Sequence, residues 1–290
     1  MTQGSVEHII SGKPKDLGGL TVRRLLPVAR QRSVGAFVFL DHMGPTVLAA
    51  GQGIDVPPHP HIGLATVTYL YEGSILHRDS LGSLQEISPG DVNWMTAGTG
   101  IVHSERSSEL ARSSHQALNG LQLWVALPKE YEETNPTFAH TPKQELPAIS
   151  GAAWAGRLMV GELFGQQSPV PTFTRLFFAD ISVEAGRKVH LQPDYDECAV
   201  YVVSGAIEID GRLVGDGELA VLKNKPVAEL LARNPSVIAV LGGDRLSEPR
   251  FMYWNFVSTQ KSRIEQAKED WRAQRFDSVP EETDFVPLPE

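Results

Sequence analysis

Two histidines one residue apart, His59 and His61, sit in "VPPHPHIGLATVTYLYEGS" just ahead of an alternating apolar run. In a β-strand, residues i and i+2 project to the same face, so the two imidazoles point the same way. Some forty residues on, "SPGDVNWMTAGTGIVHSERS" repeats the spacing with His103 and Glu105. Either pair alone is a weak signal, since a lone His-x-His is more often structural. If the two strand segments are neighbours in a barrel and face inward, the pairs converge as four candidate ligands.

Three imidazoles and one carboxylate suit a divalent first-row metal, and the lack of thiolates disfavours a structural zinc cluster. Four ligands on one side of the ion leave open positions for O2 or a chelating substrate. Three neutral histidines and an ionised Glu105 are needed, so metal affinity should fall at low pH.

The elements that position these groups read as β-strands. Runs such as "GAFVFLDHM", "LATVTYLYEG", "GLQLWVALP", "RLFFADISVEAG", "ECAVYVVSG" and "SVIAVLGG" are rich in β-branched and aromatic residues and end in turn formers. Pro89-Gly90-Asp91 suits a type II turn, and Ala97-Gly98-Thr99-Gly100 a second tight bend ahead of His103. The spacing predicts an all-β chain of barrel or sandwich type. One amphipathic helix is predicted within 258–276, with Ser258 and Thr259 as caps and Ile264, Ala267 and Trp271 on the buried stripe. The acidic, proline-containing tail beyond it is expected to lie extended on the surface.

"TYLYEGSILHRDSLG" followed by "ISPGDVNWM" matches "VYVVSGAIEIDGRLVGDGELAVL" in its order of strands and turns, which indicates an internal duplication of one barrel unit. The polar 128–155 segment carries four prolines and marks the divide. The expected organisation is an N-terminal metal-binding barrel over 1–135, a crossing segment over 136–155, a C-terminal barrel over 156–257, and a helix with tail over 258–290.

Composition bounds the rest. With 290 residues, 41% hydrophobic and 21% charged, the chain can bury a real core. A net charge of -9 without a dense Lys/Arg block argues against direct nucleic-acid binding. The single cysteine, Cys198, reads as a buried hydrophobe. No signal sequence or membrane-length apolar run is evident, so the expected location is cytoplasmic, without membrane contact.

"HPHIGLATVTYLYEG", "PGDVNWMTAGTGIVHSE" and "GLQLWVALP" resemble the pirin family of bicupins, over about residues 5 to 245 and most strongly over 56 to 128. The resemblance extends to the bacterial subgroup described as quercetin 2,3-dioxygenases. It implies two face-to-face cupin barrels and a metal held by His59, His61, His103 and Glu105. The metal it implies is Fe(II), with Mn, Ni, Cu, Co or Zn as substitutes. It further implies ring opening of a flavonol-like or other enolisable aromatic substrate by O2 with loss of carbon monoxide. Glu105 is then a ligand and a candidate general base.

The second half departs from the metal pattern. Val189-His190-Leu191-Gln192 falls where His59-Pro60-His61 does, with Gln192 in place of the second histidine, and no His-x-Glu follows. The C-terminal barrel is expected to be metal-free, with His190 structural. Among other candidates, His77 is expected at the surface or behind the ligands. Trp94, Met95 and Trp124 are expected in packing, and Glu72 in a turn. His8, His42, His115 and His140 carry no partner spacing. Two further readings stand beside the enzyme: a redox-responsive regulator that binds a protein partner, and a cupin isomerase or binding protein with a structural metal.

Overall fold

The computed structural model describes residues 5–16, 20–223 and 227–290. The described residues are mostly β, with one long helix at Lys261–Arg272 and single helical turns at Glu109–Arg112 and Lys129–Tyr131. The chain's two compact units interleave in sequence: Lys15–Val22, Asp41–Lys143 and Ser247–Glu290 form one, Met1–Pro14, Arg23–Leu40 and Gln144–Leu246 the other. The consecutive blocks expected from composition differ from this, because distant segments complete each unit. Val6–Ser11 pairs antiparallel with Glu218–Leu222 in the second unit, and the 247–290 segment belongs to the first. The stretch expected as a plain crossing segment contains two strands, Thr137–Thr141 and Ala148–Gly151, one in each unit.

The unit that carries the candidate ligands contains β1 (Asp55–His61), β2 (Leu64–Glu72), β3 (Ile75–Asp79), β4 (Leu84–Ile87), β5 (Val92–Thr96), β6 (Ile101–Arg106), β7 (Gln116–Ala126) and β8 (Thr137–Thr141). A small sheet runs in the order β1-β6-β3-β4, and a larger one includes β8-β5-β2-β7. The turns are those the residues require. Asp91 N donates to Ser88 O at 3.1 Å, with Gly90 at φ +91° in the third turn position, as a type II turn demands. At Gly98 (φ +50°) a Cβ would lie 1.9 Å from the Thr134 carbonyl oxygen, so only glycine closes the bend before β6.

The Lys261–Arg272 helix buries Ile264, Ala267 and Trp271, the predicted stripe. These pack with Ile62 and Val102, which adjoin His61 and His103 in sequence. Its start differs from the expected caps, and it begins after Gln260. The Ser258 and Thr259 hydroxyls donate to Glu132 instead, at 3.1 and 3.0 Å. Glu132 is buried with Arg250 at 2.9 Å, and a buried carboxylate needs every donor within reach. The tail is without helix or strand and mostly exposed, as expected, and it is also tied down at several points. Trp271 Nε1 donates to Val286 O, and Val286 N donates to Pro58 O at 2.9 Å. Glu282 accepts from Ser104 and Arg106. The tail thus ties to the strands that carry the histidines.

In the other unit, Lys188–Leu191, Ala228–Ala232, Ala206–Ile209 and Arg212–Gly215 form a small sheet in that order. Its larger sheet sets Glu218–Leu222, Glu197–Ser204 and Ser236–Gly243 side by side. Counted along the chain, the first, sixth, third and fourth strands of each six-strand run make the small sheet. The fifth, second and next strand adjoin in the large one. The duplication read from the sequence is therefore a duplication of topology, the cupin double-sheet unit occurring twice.

Candidate metal centre

Strands β1 and β6 pair antiparallel, with His59 opposite His103 and His61 opposite Ile101. The register slips between His103 and Glu105, where Glu105 faces Val56 across an extra residue on β1. The bulge lies at Pro57 and Pro58, residues poor at continuing a ladder. On its other side β6 pairs with β3, so that His103 faces Asp79 and Glu105 faces His77. Three adjacent strands thus each present an i, i+2 polar pair: His59/His61, His103/Glu105 and His77/Asp79.

The imidazoles of His59, His61 and His103 are buried and meet, with one nitrogen from each within 4.8 Å of the others. His61 Nε2 and His103 Nε2 lie 3.1 Å apart. Adjacent nitrogens bound at 2.0–2.1 Å to one ion are about 3 Å apart, so the spacing fits a shared metal. Glu105 is not one of this group. It sits one pair along β6, two residues beyond His103.

Hydrogen bonds orient two of the rings. His59 Nδ1 donates to Pro57 O at 2.9 Å, which leaves its Nε2 lone pair free. His103 Nδ1 lies 3.4 Å from His77 Nδ1, and His77 Nε2 donates to Asp79 Oδ2 at 3.0 Å. Burial holds the His59 pKa down at about 4. Burial, reinforced by neighbouring imidazoles, holds His61 and His103 well below the ordinary histidine value. At neutral pH all three are neutral, the form that binds a metal. Burial raises the Glu105 carboxyl above its usual range. Burial also works to raise Asp79, but the hydrogen bonds from His77 and Ser83 outweigh it and hold that carboxyl low.

The strand register of the large sheet sets the neighbouring wall in two rows. Trp124, Thr66, Met95 and Phe138 lie side by side across β7-β2-β5-β8, and Gln122, Thr68, Asn93 and His140 form the next row on the same face. The first row touches the histidines: Trp124 stands edge-on to His61, ring centroids 5.2 Å apart, and Phe138 stacks on His77 at 4.3 Å. The second row is hydrogen-bonded, Thr68 Oγ1 to Gln122 Oε1 at 3.0 Å and His140 Nδ1 to Asn93 Oδ1 at 2.7 Å.

Of the other candidates, His77 is buried against His103 rather than at the surface. Trp94 is core, Met95 belongs to the apolar row, and Glu72 is exposed at the end of β2. His42 bonds Asn119 and His115 is exposed, and neither joins the cluster. The sequence reading missed Asp79. Its signal was present in His77-Arg78-Asp79, the same i, i+2 spacing as the other two pairs.

The matching strands of the other unit correct the sequence comparison by one residue. Val189 pairs with Leu230 as His59 pairs with His103. The inward pair is therefore Val189 and Leu191, both fully buried, while Gln192 is exposed and the His190 side chain is 79% exposed beside Glu229. His190 faces solvent, so it never stood in the place of a ligand.

The Pirin profile matches residues 19–125, and the profile of the Pirin C-terminal cupin domain matches 178–277. The chain is 45% identical to a pirin-like protein of Caulobacter vibrioides, over 98% of this chain and 100% of that one. This chain belongs to the pirin family. Among pirin relatives, a Pseudomonas aeruginosa protein with a provisional quercetin 2,3-dioxygenase name is 40% identical, over 88% of this chain and 79% of that one. A crystal structure of quercetin 2,3-dioxygenase from Acinetobacter baumannii superposes with a TM-score of 0.91 at 31% identity, covering 98% of this chain and 95% of that one. The bicupin fold and a three-histidine cluster that fits a cupin metal site are thereby in place. No helix among the described residues is long and apolar enough to cross a membrane.

Proposed function

We propose that this pirin is a metal-dependent dioxygenase that opens a flavonol-like substrate with O2. The observation that carries the reading is the convergence of three neutral, buried imidazoles next to a carboxyl group and a mixed apolar and polar wall. His59, His61 and His103 would hold the ion, with Glu105 as fourth ligand. The metal proposed is Fe(II), with Mn, Ni, Cu, Co or Zn as alternatives. When bound, such an ion supplies Lewis acidity toward a chelating hydroxyl and carbonyl and the redox chemistry that O2 activation requires.

The chain's own residues do the remainder. Glu105, with its raised pKa, is suited to accept the hydroxyl proton of an enolisable substrate near neutral pH. Trp124, Met95 and Phe138 offer an apolar surface for planar rings, and Asn93 and Gln122 offer polar partners for ring hydroxyls. Burial of the cluster keeps bulk water from the reacting atoms. In the overall reaction both atoms of O2 enter the opened product and one ring carbon leaves as carbon monoxide. The proposed setting is cytoplasmic.

Metal-loaded protein mixed with quercetin should consume O2 and bleach the flavonol absorbance, and His59→Ala should do neither. Stoichiometric bound metal with no O2 uptake overturns the enzyme reading. The competing reading, a metal-stapled regulator that binds a protein partner, draws on the exposed Leu81, Leu84 and Leu110 of the ligand-bearing unit. It predicts that no flavonol is turned over and that metal loading alters partner capture.

A further inference from the structure

The proposed function leaves one buried polar pair without a role. His77 and Asp79 lie behind His103, both shielded from solvent, on a strand that supplies no ligand. Their hydrogen bonds run in one direction. Asp79 is ionised and can only accept, so His77 Nε2 carries a proton and donates it to Oδ2. With that proton on Nε2, His77 Nδ1 is placed to accept from Nδ1–H of His103, 3.4 Å away. The His103 proton is thereby held on Nδ1, and its Nε2 faces the cluster as a lone pair.

We infer that Asp79 and His77 form a positioning relay that fixes the tautomer of His103 and so prepares its Nε2 for metal. The other unit supplies an independent observation. By register, Ile209 stands in the place of Asp79 and Ile207 in the place of His77, just as Leu230 stands for His103. Where the histidine cluster is replaced by apolar residues, the pair behind it is replaced too. A fold requirement for His77 and Asp79 would have kept them in both units.

The inference rests on the metal-binding reading above, and Asp79→Asn tests it. Asp79 Oδ1 accepts from Leu81 N and Ser83 N, each at 3.0 Å. In the variant the amide oxygen stays with these two donors and the NH2 group turns to His77 Nε2. His77 must then accept there and carry its proton on Nδ1, which donates toward His103 Nδ1. The proton of His103 moves to Nε2, on the metal side.

Zn(II) competition titration of the full chain should show affinity weakened about 10- to 100-fold, as for other residues that support ligands. Thermal stability of the metal-free variant should stay near wild type, because shape and turn are kept. Nitrogen-15 NMR of the metal-free wild type should place the His103 proton on Nδ1, and in Asp79→Asn on Nε2. Wild-type affinity in the variant, or a wild-type His103 protonated on Nε2, overturns the relay. The second measurement stands even where the variant fails to fold. A wild type that binds no Zn(II) defeats the metal reading instead, and is told apart by its own titration.

Discussion

The two units share a strand order, and at six matched inward positions they carry opposite chemistry. Through the paired registers, His59, His61, His77, Asp79, His103 and Glu105 of one correspond to Val189, Leu191, Ile207, Ile209, Leu230 and Ala232 of the other. The second set is fully buried and forms part of a continuous apolar core. The first set is polar, and several of its members hydrogen-bond to one another or to nearby groups: His59 to Pro57 O, and the Asp79–His77–His103 chain. Apolar groups need no partner, whereas buried polar groups do. The same scaffold therefore carries either a core or a chemical site at one place, and the choice is made face by face along three strands.

The comparison breaks most visibly at the ligands. His103→Ala should reduce metal content from one ion per chain to none, read by elemental analysis, a larger loss than any supporting residue would cause. Retained stoichiometric metal would remove the assignment. The counterpart substitution, Leu230→Ala, should cost about 2–5 kcal/mol in denaturant unfolding and leave metal content unchanged. A fall in metal content there would mean that the two units do not divide the roles as their interiors indicate.

Acid sharpens the contrast in a third way. His59 has a folded pKa near 4, below its unfolded value of 6.5, so the unfolded chain binds more protons in between. The stability of the metal-free protein should fall as pH drops from 6.5 to about 4, by ~3 kcal/mol from His59 alone, with His61 and His103 adding in the same direction. Glu105, with a raised pKa, works the opposite way above its unfolded value, but it is one group against three. Calorimetry across this range checks the sign, and a flat profile would contradict the burial of neutral imidazoles.

Smaller effects are expected at the periphery. Arg106→Ala removes the ion pairs of Glu282 and Asp284 with β6, leaving Ser104 as the donor to Glu282, and should cost about 1 kcal/mol after allowance for solvent screening, seen as faster proteolysis near residue 282. His190→Ala should change neither stability nor metal content measurably, since the ring lies in solvent. A loss of metal in that variant would restore the sequence alignment that the structure corrected.

The same-face pairs His59/His61 and His103/Glu105 were legible as candidates because strand periodicity is local: two residues at i and i+2 share a face whatever lies elsewhere. The type II turn at Ser88–Asp91 and the buried stripe Ile264, Ala267 and Trp271 were legible for the same reason. The C-terminal counterpart was misjudged by one position because a slip of one residue exchanges the inner and outer faces, and no local cue in Val189-His190-Leu191-Gln192 fixes which pair turns inward. Ser258 and Thr259 looked like caps, and only their distance in space to Glu132 showed otherwise.

By itself the sequence determined the strand composition, the duplication, the metal-suited residue types and the pairs that could act together. Tertiary structure decided that β3 lies beside β6, which brings His77 and Asp79 behind His103. It also decided that residues 247–290 join the ligand-bearing unit and that a bulge on β1 sets the register at which Glu105 follows His103. Those outcomes depend on which distant strands hydrogen-bond and in what register. Such pairing is set by the burial of whole faces together, and no short stretch of residues encodes it alone.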